Sequence, residues 1–169
     1  MKLTNILVAF SFILFTLAGC QDQPKESASD EIRTETKKPF TVKFDADSAY
    51  RYVQEQVDFG PRVPGTGAHG RTALYLQNKL AQFCDTAFIQ YGSMPTGRGG
   101  DVAINNIIGI LNPEQTKRIL LCAHWDTRPM ADQDKERPTT PADGANDGAS
   151  GVGVLLEIAR QLQAQRPDA

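Results

Sequence analysis

The chain has 169 residues, with 18 basic against 20 acidic side chains and a formal net charge of −2. This charge balance predicts no binding of nucleic acid, which needs a clustered basic surface. The contents of 14 Gly, 10 Pro and 3 Cys exclude collagen-like, low-complexity and disulfide-scaffold proteins. The length is sufficient for one globular domain.

Residues 1–19 have the pattern of an export signal. Lys2 precedes a largely apolar run from residue 6 to residue 17, which as a helix is about 18 Å long and too short to cross a bilayer. The run ends in Leu17-Ala18-Gly19-Cys20, which resembles the lipobox of bacterial lipoproteins. The resemblance implies that residues 1–19 are removed, that Cys20 is lipidated and that the protein is anchored in the bacterial cell envelope, on the periplasmic or outer-membrane face.

Residues 20–40 are predicted to form a flexible tether, because charged and small polar residues dominate this segment and cannot bury enough apolar surface to fold. Two other cysteines follow, Cys84 and Cys122. In an oxidising compartment they can form a disulfide if their Cα atoms lie within about 7 Å of each other. They can equally be two small buried side chains, and the sequence leaves both interpretations open.

Residues 41–169 alternate helical and strand patterns, which predicts the α/β class. The segment 119–123 is continuously apolar, as is typical of a strand covered on both faces. The predicted elements are a helix capped by Asp47 or Ser48 and ending near residue 58, a loop 62–70, helices 71–83 and 149–165, strands 87–91, 102–111 and 119–123, and a polar loop 127–144.

The segment Gly65-Thr66-Gly67-Ala68-His69-Gly70 satisfies the dinucleotide-binding pattern G-x-G-x-x-G. That fingerprint requires a buried strand immediately before it. Here Pro61 and Pro64 precede the glycines, and two prolines so close together are incompatible with a central strand. No nucleotide binding is therefore predicted.

The chemistry is predicted at two polar segments. His124 and Asp126 follow the apolar run 119–123, and residues two apart in an extended segment point to the same side, so a carboxylate can orient the imidazole. Asp147 lies among small residues at the start of the last helix. It can be a simple helix cap, or its small neighbours can leave room for an ion or substrate. Together, the three side chains favour a metal site.

Three blocks in this order resemble the M28 zinc peptidase family. They are FGPRVPG at residues 59–65, CAHWDTRP at 122–129 and GANDGASGV at 144–152. The first block, with the His-aromatic-Asp sequence, is more similar to the glutaminyl-peptide cyclotransferase branch than to the di-zinc aminopeptidases.

The resemblance implies a mixed, mostly parallel sheet flanked by helices, with Zn²⁺ bound at the carboxyl ends of the strands. Asp147 matches the family's aspartate ligand of zinc. His124 matches a histidine that binds metal in the di-zinc enzymes but not in animal-type cyclotransferases. Asp126 matches the supporting carboxylate, and Trp125 is expected to pack beside the site. The substrates implied are the N-termini of peptides or proteins.

The resemblance also implies, further along than residue 169, a Glu pair that supplies the proton shuttle and another ligand, then a distant Asp or His, and a final His ligand. The chain is thus expected to be the N-terminal part only of such a domain and to be inactive alone. His69 is not expected to be a ligand, and Glu157 is predicted to lie on the surface. The activity implied is cyclisation of N-terminal Gln to pyroglutamate with release of ammonia. The alternatives are a di-zinc aminopeptidase and a non-catalytic binding protein of the envelope.

Overall fold

The structure is a computed structural model that describes residue 41, residues 43–97 and residues 99–166. The predicted signal, tether and lipidated Cys20 lie outside the described residues. Within these ranges, no helix is both long enough and apolar enough to cross a membrane. The described elements, in chain order, are α1 (Ala46–Val57), α2 (Gly67–Phe83), β1 (Thr86–Pro95), β2 (Asp101–Ile110) and α3 (Ser150–Ala164).

The first two helices begin at caps that the sequence analysis placed incorrectly. The carboxylate of Asp45 caps α1 by accepting from the main-chain N–H groups of Asp47 and Ser48, at 3.1 and 3.2 Å. The prediction of Asp47 or Ser48 as the cap was therefore wrong by two or three residues. The hydroxyl of Thr66 caps α2 and accepts from the N–H of His69. Residues 67–70, the last part of the predicted loop 62–70, therefore form the first turn of α2.

β1 and β2 form an antiparallel hairpin in which residue 86 pairs with residue 110 and residue 95 with residue 101. Gly99 and Gly100 have positive φ angles of 86° and 77°, which allow the chain to reverse between the strands. Both strands were predicted, although β1 extends four residues beyond the expected end at residue 91. The α/β class is confirmed, but the two described strands are antiparallel, whereas the resemblance implied a mostly parallel sheet.

The predicted strand 119–123 is not formed among the described residues. The side chains of Ile119 and Leu120 are 90% and 87% exposed. The apolar run was a correct indication of strand propensity, but a strand also needs a hydrogen-bonding neighbour, and the described hairpin does not supply one.

The core lies where the three helices meet the hairpin. α1 packs on α3, and Gly153 of α3 makes this possible because a Cβ there would lie 2.8 Å from the carbonyl oxygen of Ala49. α2 packs on both strands and on α3. The buried apolar side chains of this core are Tyr52, Ala73, Leu76, Trp125, Val152 and Leu156.

Glu157 was predicted to lie on the surface, and this was wrong. Its side chain is fully buried and accepts hydrogen bonds from the main-chain N–H of Asp45, from the guanidinium of Arg160 and from the amide of Gln161. The bond from Arg160 and those from the other donors hold the pKa of Glu157 below its usual value, against the opposing effect of burial. Glu157 therefore joins the start of α1 to α3.

Candidate metal centre

The three predicted site residues lie together. The Nε2 atom of His124 is 3.0 Å from Oδ1 of Asp147, and its Nδ1 atom is 3.5 Å from Oδ1 of Asp126. The imidazole thus lies between two carboxylates, one on each ring nitrogen. About half of each side chain is exposed, so the group lies on an open face of the described structure.

The position of Asp147 follows from an irregular helical turn, Ala145–Ala149, that precedes α3. Its backbone is non-helical at Asp147, with φ −88° and ψ 95°, and at Gly148, with φ 105°. No side chain caps α3 at its start. The interpretation of Asp147 as a simple helix cap is therefore wrong, since its carboxylate points to His124 instead.

The glycines near Asp147 lie where two chain segments pack closely against each other. A Cβ on Gly148 would lie 3.0 Å from the carbonyl oxygen of Asp126 and 3.3 Å from Cε1 of His124. A Cβ on Gly144 would lie 2.3 Å from Cγ2 of Thr127. Protein atoms occupy these two spaces, so Gly144 and Gly148 allow two chain segments to approach each other closely.

Trp125, between the two predicted site residues of its segment, anchors that segment in the core. Its side chain is 9% exposed, and its indole N–H donates to the carbonyl oxygen of Asn105 on β2, at 3.0 Å. The ring stacks on the imidazole of His69, with centroids 4.2 Å apart. The structure thus places the Trp125 side chain in the core, against His69. Because Trp125 points inward, its neighbours His124 and Asp126 point outward to the same face.

Arg62 is the residue of this region whose importance the sequence analysis missed. It lies in the FGPRVPG block, and its side chain is fully buried. Burial lowers the pKa of the guanidinium, and the negative charges of Asp143 and Asp126 oppose this. An arginine between two prolines, with no acidic neighbour in sequence, carries no local signal of burial, because its partners are main-chain groups and three of them lie 63 to 82 residues later.

The two remaining cysteines do not form a disulfide. Cys84 is partly buried and Cys122 is exposed, and both are free. Burial raises the pKa of the Cys84 thiol. The interpretation as two buried side chains is therefore correct only in part, for Cys84.

The donor atoms of His124 and Asp147 are of types that bind zinc. Imidazole nitrogen and carboxylate oxygen are ordinary zinc donors, and two donors of one tetrahedral ion lie about 3.3 Å apart when each is about 2.0 Å from the metal. The 3.0 Å between His124 and Asp147 is close to this spacing. No group of three or more possible ligands occurs among the residues described. A zinc ion in a catalytic site has at least three protein ligands, so these two side chains alone do not complete such a site.

Comparison with known proteins agrees with this chemistry. The model of the family "Peptidase family M28" matches residues 106–169, which include all three predicted site residues. The resemblance of the chain to peptidase family M28 is therefore confirmed.

Several relatives are glutaminyl cyclases. The crystal structure of Bacteroides thetaiotaomicron glutaminyl cyclase bound to N-acetylhistamine is 53% identical, with a TM-score of 0.72 over 75% of this chain and 44% of that one. A Zn-dependent exopeptidase from Parabacteroides distasonis is 48% identical, with the same TM-score and coverage. The glutaminyl-peptide cyclotransferase of Drosophila melanogaster is 26% identical over 90% of this chain and 42% of its own length. The chain thus spans less than half the length of these relatives.

Proposed function

We propose that this chain supplies part of the active site of a zinc-dependent glutaminyl-peptide cyclotransferase. The observation that carries the proposal is the contact between His124 Nε2 and Asp147 Oδ1, formed on a domain that is 53% identical to a bacterial glutaminyl cyclase. The reaction converts the N-terminal Gln of a peptide to pyroglutamate. The α-amine forms a bond to the γ-carboxamide carbon, the bond from that carbon to the amide nitrogen breaks, and ammonia leaves with the proton that the amine loses.

The residues of this chain have distinct proposed roles. Asp147 would hold the zinc ion, with His124 as a second donor. When bound, zinc supplies a positive charge that polarises the γ-carboxamide carbonyl. Asp126 faces Nδ1 of His124, where a carboxylate fixes the orientation of the imidazole. The open face at these side chains leaves space for the N-terminus of a peptide or protein. The further ligand and the proton shuttle are not assigned to any described residue.

A zinc aminopeptidase is the second candidate, and one observation favours it. The solved relative from Parabacteroides distasonis is described as a Zn-dependent exopeptidase. The contact between His124 and Asp147 fits this candidate equally well. In that case, an activated water would cleave the first peptide bond, and free amino acids would be released.

One assay separates these candidates. The full-length gene product, loaded with zinc, is incubated with a peptide that begins with Gln, and ammonia and the mass of the peptide are measured. The proposal predicts ammonia and a pyroglutamyl peptide, with no product from the same peptide acetylated on its α-amine. Asp147→Asn is expected to abolish the reaction. Release of free amino acids would instead identify an aminopeptidase, and absence of both products would favour a binding protein.

Zinc binding by the 169-residue chain provides a separate test. With two donors, we expect zinc to change the melting temperature of this chain little, and we expect no turnover. Zinc-dependent activity of the chain alone would contradict the assignment of Asp147 and His124 as one part of the site. Calorimetric titration of the wild type and of Asp147→Asn measures the contribution of the carboxylate.

We also propose that Cys20 carries a lipid and that the protein is anchored in the bacterial cell envelope. The support is the sequence of residues 1–20. Radiolabelled palmitate is expected to label the protein in a bacterial host and not to label Cys20→Ala. Equal labelling of both would refute the proposed lipidation.

A further inference from the structure

The guanidinium of Arg62 donates only to main-chain oxygens. Its Nε atom lies 3.0 Å from the carbonyl oxygen of Trp125, and its Nη2 atom lies 2.7 Å from that of Gly144. The Nη1 atom lies within 3.0 to 3.4 Å of the carbonyl oxygens of Asp143, Gln56 and Gly60. The Arg62 side chain, which has no exposed surface, therefore donates five hydrogen bonds.

These bonds connect the two segments that carry the candidate metal centre. Trp125 lies between His124 and Asp126, and Gly144 lies three residues before Asp147. The main chain of Arg62 adds a further link, because its carbonyl oxygen accepts from the N–H of Thr127 at 3.2 Å. Arg62, which is fully buried, is thus hydrogen-bonded to both segments at once.

We infer that Arg62 is a positioning residue for the reaction, since it holds the segment of His124 and the segment of Asp147 at the distance that brings the two side chains together. The catalytic consequence of this inference rests on the proposed function. The geometry around Arg62 does not depend on that function. Arg62 does not contact the reacting atoms and acts through the two segments.

The chemistry of the guanidinium explains why this position needs arginine. It is planar and has five N–H donors in a fixed fork, so it can serve carbonyl oxygens in different directions at once. A lysine keeps the charge but has one nitrogen and three donors, and it cannot reach both Trp125 and Gly144 in the same way. The guanidinium also requires glycine at position 144, since a Cβ there would lie 2.8 Å from Nη2 of Arg62.

The experiment compares Arg62→Lys and Arg62→Ala with Glu157→Gln in the 169-residue chain. Glu157→Gln is the matched control because it weakens another buried polar connection, between α1 and α3, without touching either segment. The readout is the ¹⁵N chemical shifts of the His124 ring nitrogens at one fixed pH. The chain has two histidines, and His124→Gln assigns the signals.

We expect the His124 shifts to move toward those of an unfolded peptide in both Arg62 variants and to stay at the wild-type values in Glu157→Gln. If Arg62→Ala does not fold, Arg62→Lys still decides the question. A folded Arg62→Lys with wild-type His124 shifts would overturn the inference, as would an equal change in Glu157→Gln.

A second measurement uses the full-length gene product. We expect Arg62→Lys to lower kcat about ten- to a hundredfold with a smaller effect on KM, because misplaced catalytic groups slow the chemical step. We expect Glu157→Gln to keep the wild-type kcat below its melting temperature. Wild-type kcat in Arg62→Lys would overturn the inference. If the wild type itself has no cyclase activity, the proposed function fails, whereas the ¹⁵N shifts still decide whether Arg62 positions His124.

Discussion

The imidazole of His69 stacks on the indole of Trp125, with 4.2 Å between ring centroids and 15° between ring planes. His69 is 4% exposed and lies in the first turn of α2. The stack therefore joins α2 to the segment that carries His124 and Asp126. His69 was not expected to be a metal ligand, and the structure gives it this packing role within the described residues.

The stack predicts a pH dependence of stability. Burial lowers the pKa of His69 below its ordinary value of 6.5, and the charge of Asp126 opposes this shift only in part. The unfolded chain takes up a proton near pH 6.5 while the folded chain still holds the imidazole neutral. Stability from this residue is thus complete above that pH and declines as the pH falls through the folded pKa.

His69→Phe tests this pH dependence because it keeps an aromatic ring against Trp125 and cannot titrate. The free energy of unfolding is measured by denaturant titration at about pH 7.5 and about pH 5.5, which lie on either side of the ordinary histidine pKa. We expect the wild type to lose more stability than His69→Phe on acidification. Equal losses in the two proteins would contradict the prediction.

The surroundings of Gly148 predict that one added methyl group lowers the free energy of unfolding. Gly148→Ala places a Cβ 3.0 Å from the carbonyl oxygen of Asp126, at a φ angle of 105° that an L side chain rarely adopts. We expect a loss of about 1–3 kcal/mol in the free energy of unfolding. Gly70→Ala is the control, since it has open space within α2 and is expected to gain about 0.5–1 kcal/mol. Similar values for both variants would show that close approach does not decide the effect.

The sequence predicted the parts of the fold that depend on local pattern. Helical periodicity located α3 to within one residue at each end, and the end of α2 at Phe83 was also correct. The three predicted site residues were chosen from local signals, namely a His-x-Asp pair after an apolar run and an Asp among glycines. The structure brings their side chains within 3.0 and 3.5 Å of each other.

What the sequence could not predict depends on contacts between distant residues. The carboxylate of Glu157 is buried because the main-chain N–H of Asp45, 112 residues earlier, donates to it. Arg62 is buried because carbonyl oxygens 63 to 82 residues later accept its hydrogen bonds. These distant partners have no recognisable side-chain pattern. The acceptors of Arg62 and the donor from Asp45 are main-chain groups, which every residue has.

Glu157→Gln is expected to reduce stability by about 1.5–3 kcal/mol, because hydrogen bonds to a charged group are lost inside the protein. The folded chain holds the pKa of Glu157 below the ordinary value of 4.5, mainly through Arg160. Its contribution is therefore complete above that pH and is lost as the pH falls through the folded pKa. The free energy of unfolding of the variant is expected to depend less on pH in the acid range.

Glu114→Gln, at an exposed position, is the control and is expected to leave the acid dependence of unfolding unchanged. An acid profile of Glu157→Gln equal to the wild type would contradict the prediction.

The exposed run 119–121 predicts self-association of the 169-residue chain. Ile119, Leu120 and Leu121 are 90%, 87% and 50% exposed and adjacent in sequence. Apolar residues with strand propensity and no strand neighbour readily pair with the same segment of another molecule. Leu120→Lys adds a charge that opposes such pairing, so it is expected to lower the sedimentation coefficient measured at high protein concentration.

The same variant is expected to change the free energy of unfolding by less than about 0.5 kcal/mol, since an exposed side chain makes few contacts to lose. Leu156→Ala is the contrasting control. Leu156 is 2% exposed in the core, and its truncation is expected to cost about 2–5 kcal/mol without reducing association. If Leu120→Lys destabilised the monomer as much as Leu156→Ala, the run would have to be packed in solution. Its exposure would then not be the cause of association.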